Sequence, residues 1–157
     1  MKGDPGIVLA LNGLLADELA AVNQYTAHRL FLRAWGYAVL SARVKDRAED
    51  EQRHVKKIAD RILELGGVPD FANVGKVFVE PDSVPAQIAA DDEAETRAIE
   101  STNAAVKVAF DAGDQTTAHI LTHIVKEECD HLAELEGWQK QIEQMGVEGF
   151  LSSYVEV

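Results

Sequence analysis

The sequence is poor in several residue types on which common folds depend. Its 157 residues include one cysteine, four prolines and only 6% aromatic residues. A single cysteine excludes an internal disulfide and suits a reducing compartment. Scarce aromatic residues and prolines favour long helices over a β-sandwich or barrel. Basic residues are also few, 15 against 27 acidic ones, for a net charge of −12. Because an acidic surface repels phosphate backbones and attracts cations, metal ions are expected partners and nucleic acids are not.

Two further absences concern location and size. No apolar run approaches the roughly 20 residues of a membrane span, and the polar first residues, 1–5, lack the core of a signal peptide. The expected location is therefore the cytoplasm, without a membrane partner. Hydrophobic residues make up 46% of the chain, which excludes a disordered protein and fits one domain over residues 1–157.

Helical periodicity is the strongest pattern that is present. Apolar residues recur three and four positions apart in every long segment, which is the seam spacing of a left-handed helical bundle. The pattern predicts helices over about 4–34, 38–65, 83–112 and 114–145, and a short fifth helix over about 147–155. Asp4 and Pro5 suit the start of the first helix, and Gly66 and Gly67 suit the end of the second.

The connection between the second and third helices predicts the topology. It runs from Gly66 to Asp82, 17 residues. A connection of this length can extend about 50 Å, whereas a helix of about 28 residues is about 42 Å long. It can therefore cross the whole bundle and leave the two helices parallel. One long crossover of this kind is typical of an all-α, ferritin-like four-helix bundle.

Six polar residues lie on the apolar stripes of these helices. Two belong to each of two E-x-x-H motifs, and one glutamate lies at mid-length in each of the other two long helices. The six are Glu18, Glu51, His54, Glu95, Glu128 and His131. Residues three apart share one helix face, so all six can point into one core. Burying four unpaired carboxylates would cost several kcal/mol each, and no lysine or arginine lies on the stripes. Two divalent cations would balance the four charges, so the pattern predicts a di-metal carboxylate centre.

The donor types indicate which chemistry such a centre would perform. Carboxylate oxygens with one imidazole for each metal suit iron, and manganese also fits. A reduced pair of iron ions with open positions can react with O2 or peroxide, so the expected activity is oxidation of Fe(II). Tyr25 lies on the stripe of the first helix beside these ligands. It is a candidate hydrogen-bond or redox partner, and a plain core aromatic is the alternative.

The same residues, with others along nearly the whole chain, resemble the bacterioferritins. The shared segments are Met1-Lys2-Gly3-Asp4, Glu18-Leu19, Asn23-Gln24-Tyr25 with His28, Trp35-Gly36, Glu51 with His54, Arg61-Ile62-Leu63, Gly67-Val68-Pro69, and Glu127-Glu128 with His131. Ordinary ferritins lack the second E-x-x-H motif, and rubrerythrins usually carry Cys-x-x-Cys pairs that this sequence does not have. The resemblance implies a hollow shell of 24 subunits that oxidises Fe(II) and stores ferric mineral.

The resemblance also implies a role for each ligand. By position, Glu51 and Glu128 bridge two iron ions, Glu18 and His54 complete one site, and Glu95 and His131 complete the other. An ungapped comparison with the family places the ligand of the third helix at Ala94. One extra residue before that helix shifts the register to Glu95, which is also the residue on the apolar stripe.

One departure from the family concerns haem. Bacterioferritins hold haem between paired subunits through a methionine that follows the glutamate of the first motif. That position is Gln52 here, and the only methionines are Met1 and Met145. Haem is therefore not expected in this form, unless a different ligand holds it or a partner subunit supplies the methionine.

Several functions fit the pattern. The leading one is a ferroxidase subunit of an iron-storage shell. One alternative is a small di-iron oxidoreductase that consumes peroxide and stores nothing. Another is a subunit of a mixed shell whose haem comes from another chain. A DNA-protecting mini-ferritin is least favoured, since those proteins place their ligands between subunits and this chain carries a complete set.

Five other polar residues receive a plainer interpretation. His119 and His123 are interpreted as solvated helix histidines, with a pore lining or a surface metal site as the alternative. Asp46 and Asp50 are interpreted as part of a solvated face, with a storage cavity as the alternative. Cys129 lies off the seam and is interpreted as a packing residue or a free thiol.

Overall fold

The computed structural model of the protein describes residues 2–155, which form a bundle of four long helices. They are α1 (Pro5–Ala34), α2 (Ala38–Glu64), α3 (Val84–Asp111) and α4 (Gln115–Ser152). No strand occurs within these residues. The main packing is between α1 and α2 and between α3 and α4, and α1 also packs on α3. The predicted all-α four-helix bundle is confirmed.

The helix ends follow from local capping chemistry. Asp4 accepts a hydrogen bond from the Gly6 N–H at 2.6 Å, which satisfies a free donor of the first turn of α1. Asp114 does the same for the Thr117 N–H at 3.0 Å at the start of α4. Near its end, α4 is interrupted at Gly146, whose φ of 75° lies in the left-handed region that favours glycine. A short helical segment, 147–152, follows this break, and its Phe150 packs on Trp138 with ring centroids 6.4 Å apart.

The connection between α2 and α3 runs along α1, as the length of the segment predicts. Near the start of α1, the Asn12 side-chain amide donates to the Val68 carbonyl at 3.1 Å. Further along, the Gly75 N–H donates to the Ala16 carbonyl at 2.9 Å, and the Glu80 N–H donates to His28 Nε2 at 2.9 Å. The contacts advance in the same direction on both segments. The connection therefore crosses the bundle, and α2 and α3 run parallel.

The core consists of two apolar layers with a polar layer between them. The first layer includes Leu11, Leu15, Ile58, Ile62, Leu121 and Ile124. The second includes Leu32, Leu40, Val44, Ile88, Leu135 and Trp138. The six predicted ligands lie between these layers, and none of them exposes more than 7% of its surface. Because apolar side chains close off both ends, the polar cluster is kept away from bulk water.

Helix α1 corrects one expectation drawn from the sequence. An 18-residue window of this helix has a mean hydropathy of 1.5, so α1 alone among the described helices is long and apolar enough to cross a membrane. Its buried face, however, carries Glu18, Gln24 and His28. The first faces α2 and the other two hydrogen-bond to α3. These contacts are typical of a core helix, and 39% of the apolar window is buried within the bundle.

Candidate metal centre

The four helices bring all six predicted side chains into one cluster. Two overlapping groups of ligand atoms each lie within 4.8 Å of one another. The first group is Glu18, Glu51, His54 and Glu128, and the second is Glu51, Glu95, Glu128 and His131. Because Glu51 and Glu128 belong to both groups, the cluster has two adjacent positions for a cation that share two carboxylates.

The first position is arranged around His54, which projects from α2. Its Nδ1 lies 3.1 Å from Glu51 Oε2, 3.1 Å from Glu128 Oε1 and 3.5 Å from Glu18 Oε2. Glu18 comes from α1 and Glu128 from α4, so three helices meet here.

The second position repeats this arrangement around His131 on α4. Its Nδ1 lies 3.1 Å from Glu51 Oε1, 3.4 Å from Glu128 Oε2 and 3.3 Å from Glu95 Oε1. Each shared glutamate thus turns one oxygen towards His54 and the other towards His131. This is the disposition that a carboxylate needs in order to bridge two cations.

Hydrogen bonding within the described chain leaves this cluster unsatisfied. Six buried atoms have no hydrogen-bond partner there: Glu18 Oε2, Glu51 Oε1, Glu95 Oε2, both Glu128 oxygens and His131 Nδ1. Buried polar atoms are nearly always paired, so a group of six without partners needs a physical explanation. All six are lone-pair donors in their deprotonated forms, and their five residues belong to the two groups above. The donor set therefore fits cations held between them.

The pKa shifts show how the cluster is charged without cations. Burial alone would raise the pKa of Glu51, but the neighbouring His131 and His54 outweigh it and lower that pKa to about 2. Burial and the Glu51 charge would raise the pKa of Glu128, yet the same two histidines lower it. Burial acts to lower the histidine pKa values, but the surrounding carboxylates raise the pKa of His131 to about 11 and raise that of His54 further.

The other two glutamates behave in the opposite way. Burial, and then the charge on Glu51, raise the pKa of Glu18 well above its usual value. Burial raises the pKa of Glu95 to about 8. At neutral pH, two imidazolium ions therefore balance Glu51 and Glu128, while the raised pKa values of Glu18 and Glu95 favour their protonated forms. Protons neutralise the cluster in place of metal ions.

Two carboxylates outside the six contact the Nε2 atoms of the two histidines. His54 Nε2 lies 2.6 Å from Glu127 on α4, and His131 Nε2 lies 2.9 Å from Asp50 on α2. A histidine that binds metal usually donates its other N–H to such a group, which fixes the tautomer. Each acid directly precedes the glutamate of one motif and contacts the histidine of the other. The expectation that Asp50 is simply solvated is therefore wrong. In both motifs a second acid directly precedes the glutamate, and this repeat in the sequence could have indicated the role of the two acids.

We expect loss of either outer carboxylate to weaken metal binding without removing a ligand. Asp50→Asn and Glu127→Gln keep the side-chain size but weaken the hold on imidazole Nε2, so Fe(II) affinity should fall by about 10- to 100-fold. Anaerobic equilibrium dialysis against Fe(II) measures this change. Asp46→Asn and Glu136→Gln make the same chemical changes at exposed positions of the same helices and should leave the affinity unchanged. Equal affinities in the four variants would contradict the assignment.

Tyr25 connects the cluster to a second buried polar network. Its hydroxyl donates to Glu95 Oε1 at 2.5 Å, and its ring lies under Arg47, whose guanidinium carbon is 5.4 Å from the ring centroid. Arg47 is only 2% exposed and lies 3.8 Å from Asp91, which also contacts His28 at 2.8 Å. Arg47 is therefore a buried cation outside the apolar stripe of α2, and its ion pairs are with Asp91 and Glu134 and not with the six ligands.

The remaining residues named from the sequence lie on the surface. Gln52, Asp46 and Cys129 are exposed.

A narrow pocket of about 150 Å³ between α1 and α3 extends from the surface to Glu18, with Asp17 and Thr102 in its walls. His119 and His123 line a different pocket, on the side of α4 that faces α2.

Comparisons with known proteins agree with this geometry. Residues 8–145 match the family described as Ferritin-like domain. The chain is 32% identical to the bacterioferritin BfrA of Mycobacterium tuberculosis over 148 residues, 94% of this chain and 92% of that protein. It is 36% identical to a bacterioferritin of Desulfovibrio desulfuricans over 140 residues, 89% of this chain and 78% of that one. The solved structure of the M. tuberculosis protein superposes with a TM-score of 0.96 at 31% identity, covering 99% of this chain and 98% of the other.

Proposed function

Because this chain belongs to the bacterioferritin family of ferritin-like proteins, we propose that it stores iron after oxidising it at the six-residue cluster. Two Fe(II) ions each lose one electron there, and the two electrons, together with two protons, reduce O2 to hydrogen peroxide or hydrogen peroxide to two water molecules. The Fe(III) product then collects as mineral inside a hollow shell of 24 subunits in the cytoplasm.

The observation that carries this proposal is the group of six buried lone-pair atoms without partners. Carboxylate oxygen and imidazole nitrogen suit Fe(II), and the four carboxylates match the charge of two divalent ions. In this proposal Glu51 and Glu128 each give one oxygen to each ion. Glu18 and His54 complete the ligands of one ion, and Glu95 and His131 those of the other.

Other residues would position these ligands and admit the substrate. Asp50 and Glu127 orient the two imidazoles through Nε2, and Tyr25 orients Glu95 through its hydroxyl. The pocket beside Glu18 offers Fe(II) a short route from the surface to the cluster. The Asp17 carboxylate in its wall would offset the positive charge of Lys76 and Arg97, which also line the pocket.

Iron loading of the purified protein tests storage against its alternatives. If the proposal is right, aerobic addition of Fe(II) in large excess should yield one particle of about 24 chains that retains far more than two iron ions per chain. Native mass together with iron content measures both quantities. A small oligomer that oxidises two Fe(II) ions per chain and retains no more would instead support the peroxide-consuming enzyme. Failure to form a shell without a second type of chain would support the mixed shell.

Haem binding is the property in which we expect this chain to differ from its family. Gln52 is exposed and offers only amide atoms, which are weak ligands for haem iron compared with a thioether. We therefore expect the wild-type protein to take up no haem with paired thioether ligands, and Gln52→Met to gain such haem at one per two chains. Absorption spectra after incubation with haemin measure the difference. A paired-thioether spectrum in the wild-type protein would contradict this expectation.

A further inference from the structure

A second group of metal-ligand side chains lies outside the carboxylate cluster. His119 and His123 are exposed on α4, and their ring centroids are 5.2 Å apart at an interplanar angle of 74°. Residues four apart lie on one helix face, so nitrogens of the two rings can approach a common point. Neither ring is among the hydrogen-bonded or ion-paired groups of residues 2–155. Both imidazoles are therefore free to bind something else.

The tertiary structure places the two rings in a pocket instead of on an open face. The pocket has a volume of about 340 Å³ and lies between α4 and α2, which contributes Lys57, Asp60, Arg61 and Glu64 to its walls. Its two acids and two bases cancel, and the chain as a whole carries a net charge of −12. A divalent cation is therefore not repelled from the pocket, and the overall field of the protein favours its approach.

The two bases in the pocket are already engaged with acids, and Arg61 also donates to Glu64 in the pocket wall at 2.8 Å. Arg61 donates to Asp114 at 3.0 Å and to the Thr117 hydroxyl at 2.8 Å. Lys57 Nζ lies 3.7 Å from Glu127. Asp60 pairs with Lys56 and Glu64 with Arg61, but both acids are exposed. Because surface ion pairs contribute little free energy, these carboxylates can turn towards the histidines at little cost. The pocket thus combines two free imidazoles with two exposed carboxylates nearby.

We propose that His119 and His123 form a binding site for one divalent transition-metal ion, separate from the carboxylate cluster. Two neutral imidazole nitrogens select ions such as Zn²⁺, Ni²⁺ or Cu²⁺ over Mg²⁺ and Ca²⁺, which prefer oxygen. An oxygen of Asp60 or Glu64, or water, completes the coordination. The proposal does not depend on the ferroxidase activity, because none of these side chains belongs to the cluster.

Zinc binding to the whole protein tests the proposal. Equilibrium dialysis against Zn²⁺ should show one ion per chain fewer in His119→Ala than in the wild type at the same free concentration. In crystals soaked with Zn²⁺, anomalous scattering should place an ion about 2.0–2.1 Å from a nitrogen of each ring. An equal count in wild type and His119→Ala, or an ion on one ring only, would overturn the proposal.

A matched control separates the paired geometry from the mere presence of two histidines. His119→Thr combined with Thr122→His keeps the composition and the charge, and Thr122 is exposed. It leaves histidines at adjacent positions, which do not face each other on a helix. This variant should lose the ion as His119→Ala does, whereas Glu128→Ala should retain it. If the rearranged variant binds the ion as the wild type does, the imidazoles act independently and the proposal is wrong.

Discussion

Glu128→Ala should lower the initial rate of Fe(II) oxidation, measured at two Fe(II) ions per chain, by more than about 100-fold. Loss of a group that only supports a ligand costs about 10- to 100-fold, and Glu128 presents one oxygen to each histidine position. The substitution therefore removes a ligand from both proposed iron sites. His54→Ala removes the imidazole of one site and should also abolish rapid initial oxidation of Fe(II).

The fold should survive both changes. Alanine is the best helix former, and the apolar layers on either side of the cluster are untouched. Glu136→Ala is the matched control, since it removes an exposed glutamate from the same helix and should oxidise Fe(II) at the wild-type rate. Absorbance at low iron loading is the measurement, because the surface of mineral formed at high loading can itself promote the oxidation of Fe(II) by O2. A Glu128→Ala rate equal to the Glu136→Ala rate would show that oxidation occurs elsewhere.

Filling the cluster with Fe(II) should release about four protons per chain at neutral pH, since metal ligands must be deprotonated. Two of these protons come from His54 and His131, whose pKa values the surrounding carboxylates raise. The other two come from Glu18, whose pKa is raised well above its usual value, and Glu95, whose pKa is about 8. Glu51 and Glu128 contribute none, because their pKa values are lowered.

The affinity of the cluster for Fe(II) should decrease as the pH falls. Each of the four groups carries a proton below its raised pKa, so metal binding competes with protons and weakens as the pH falls. Each ion displaces the proton of one imidazole, and Glu95 adds another below its pKa of about 8, so affinity should fall at least about 10-fold for each pH unit below about pH 8. Anaerobic Fe(II) titration with an indicator dye counts the protons, and dialysis at pH 6 and 7 gives the affinities. An affinity that does not change with pH, together with little proton release, would contradict the cluster's charge assignment.

Much of the fold could be predicted from the sequence because it depends on periodicity and length. A repeat of three and four residues places apolar side chains on one helix face wherever the helix lies. The same periodicity puts Glu51 and His54 on one face before any neighbour is known. The crossover was predictable as well, since a segment of that length must either traverse the bundle or loop out.

Other parts of the buried network depended on how the helices are rotated against one another. Asp92 lies four residues after Ile88 and three before Glu95, which is the spacing of the apolar stripe, yet Asp91 is the buried residue, at 2% exposure. The apolar arc of a helix is about 100° wide, so the pattern does not decide between neighbours at its border. The contacts of Asp91 with His28 and Arg47 decide it, and these partners come from α1 and α2.

The sequence by itself determined the four helices, their crossover and the six residues of the candidate centre, because these follow from spacing along one chain. Only the tertiary structure decided that Glu127 contacts His54, that Asp50 contacts His131, and that His119 and His123 line a pocket with Asp60. Each of these contacts joins α2 to α4. Their geometry depends on the relative rotation and height of two helices, which packing across the core sets and which no periodicity within either helix contains.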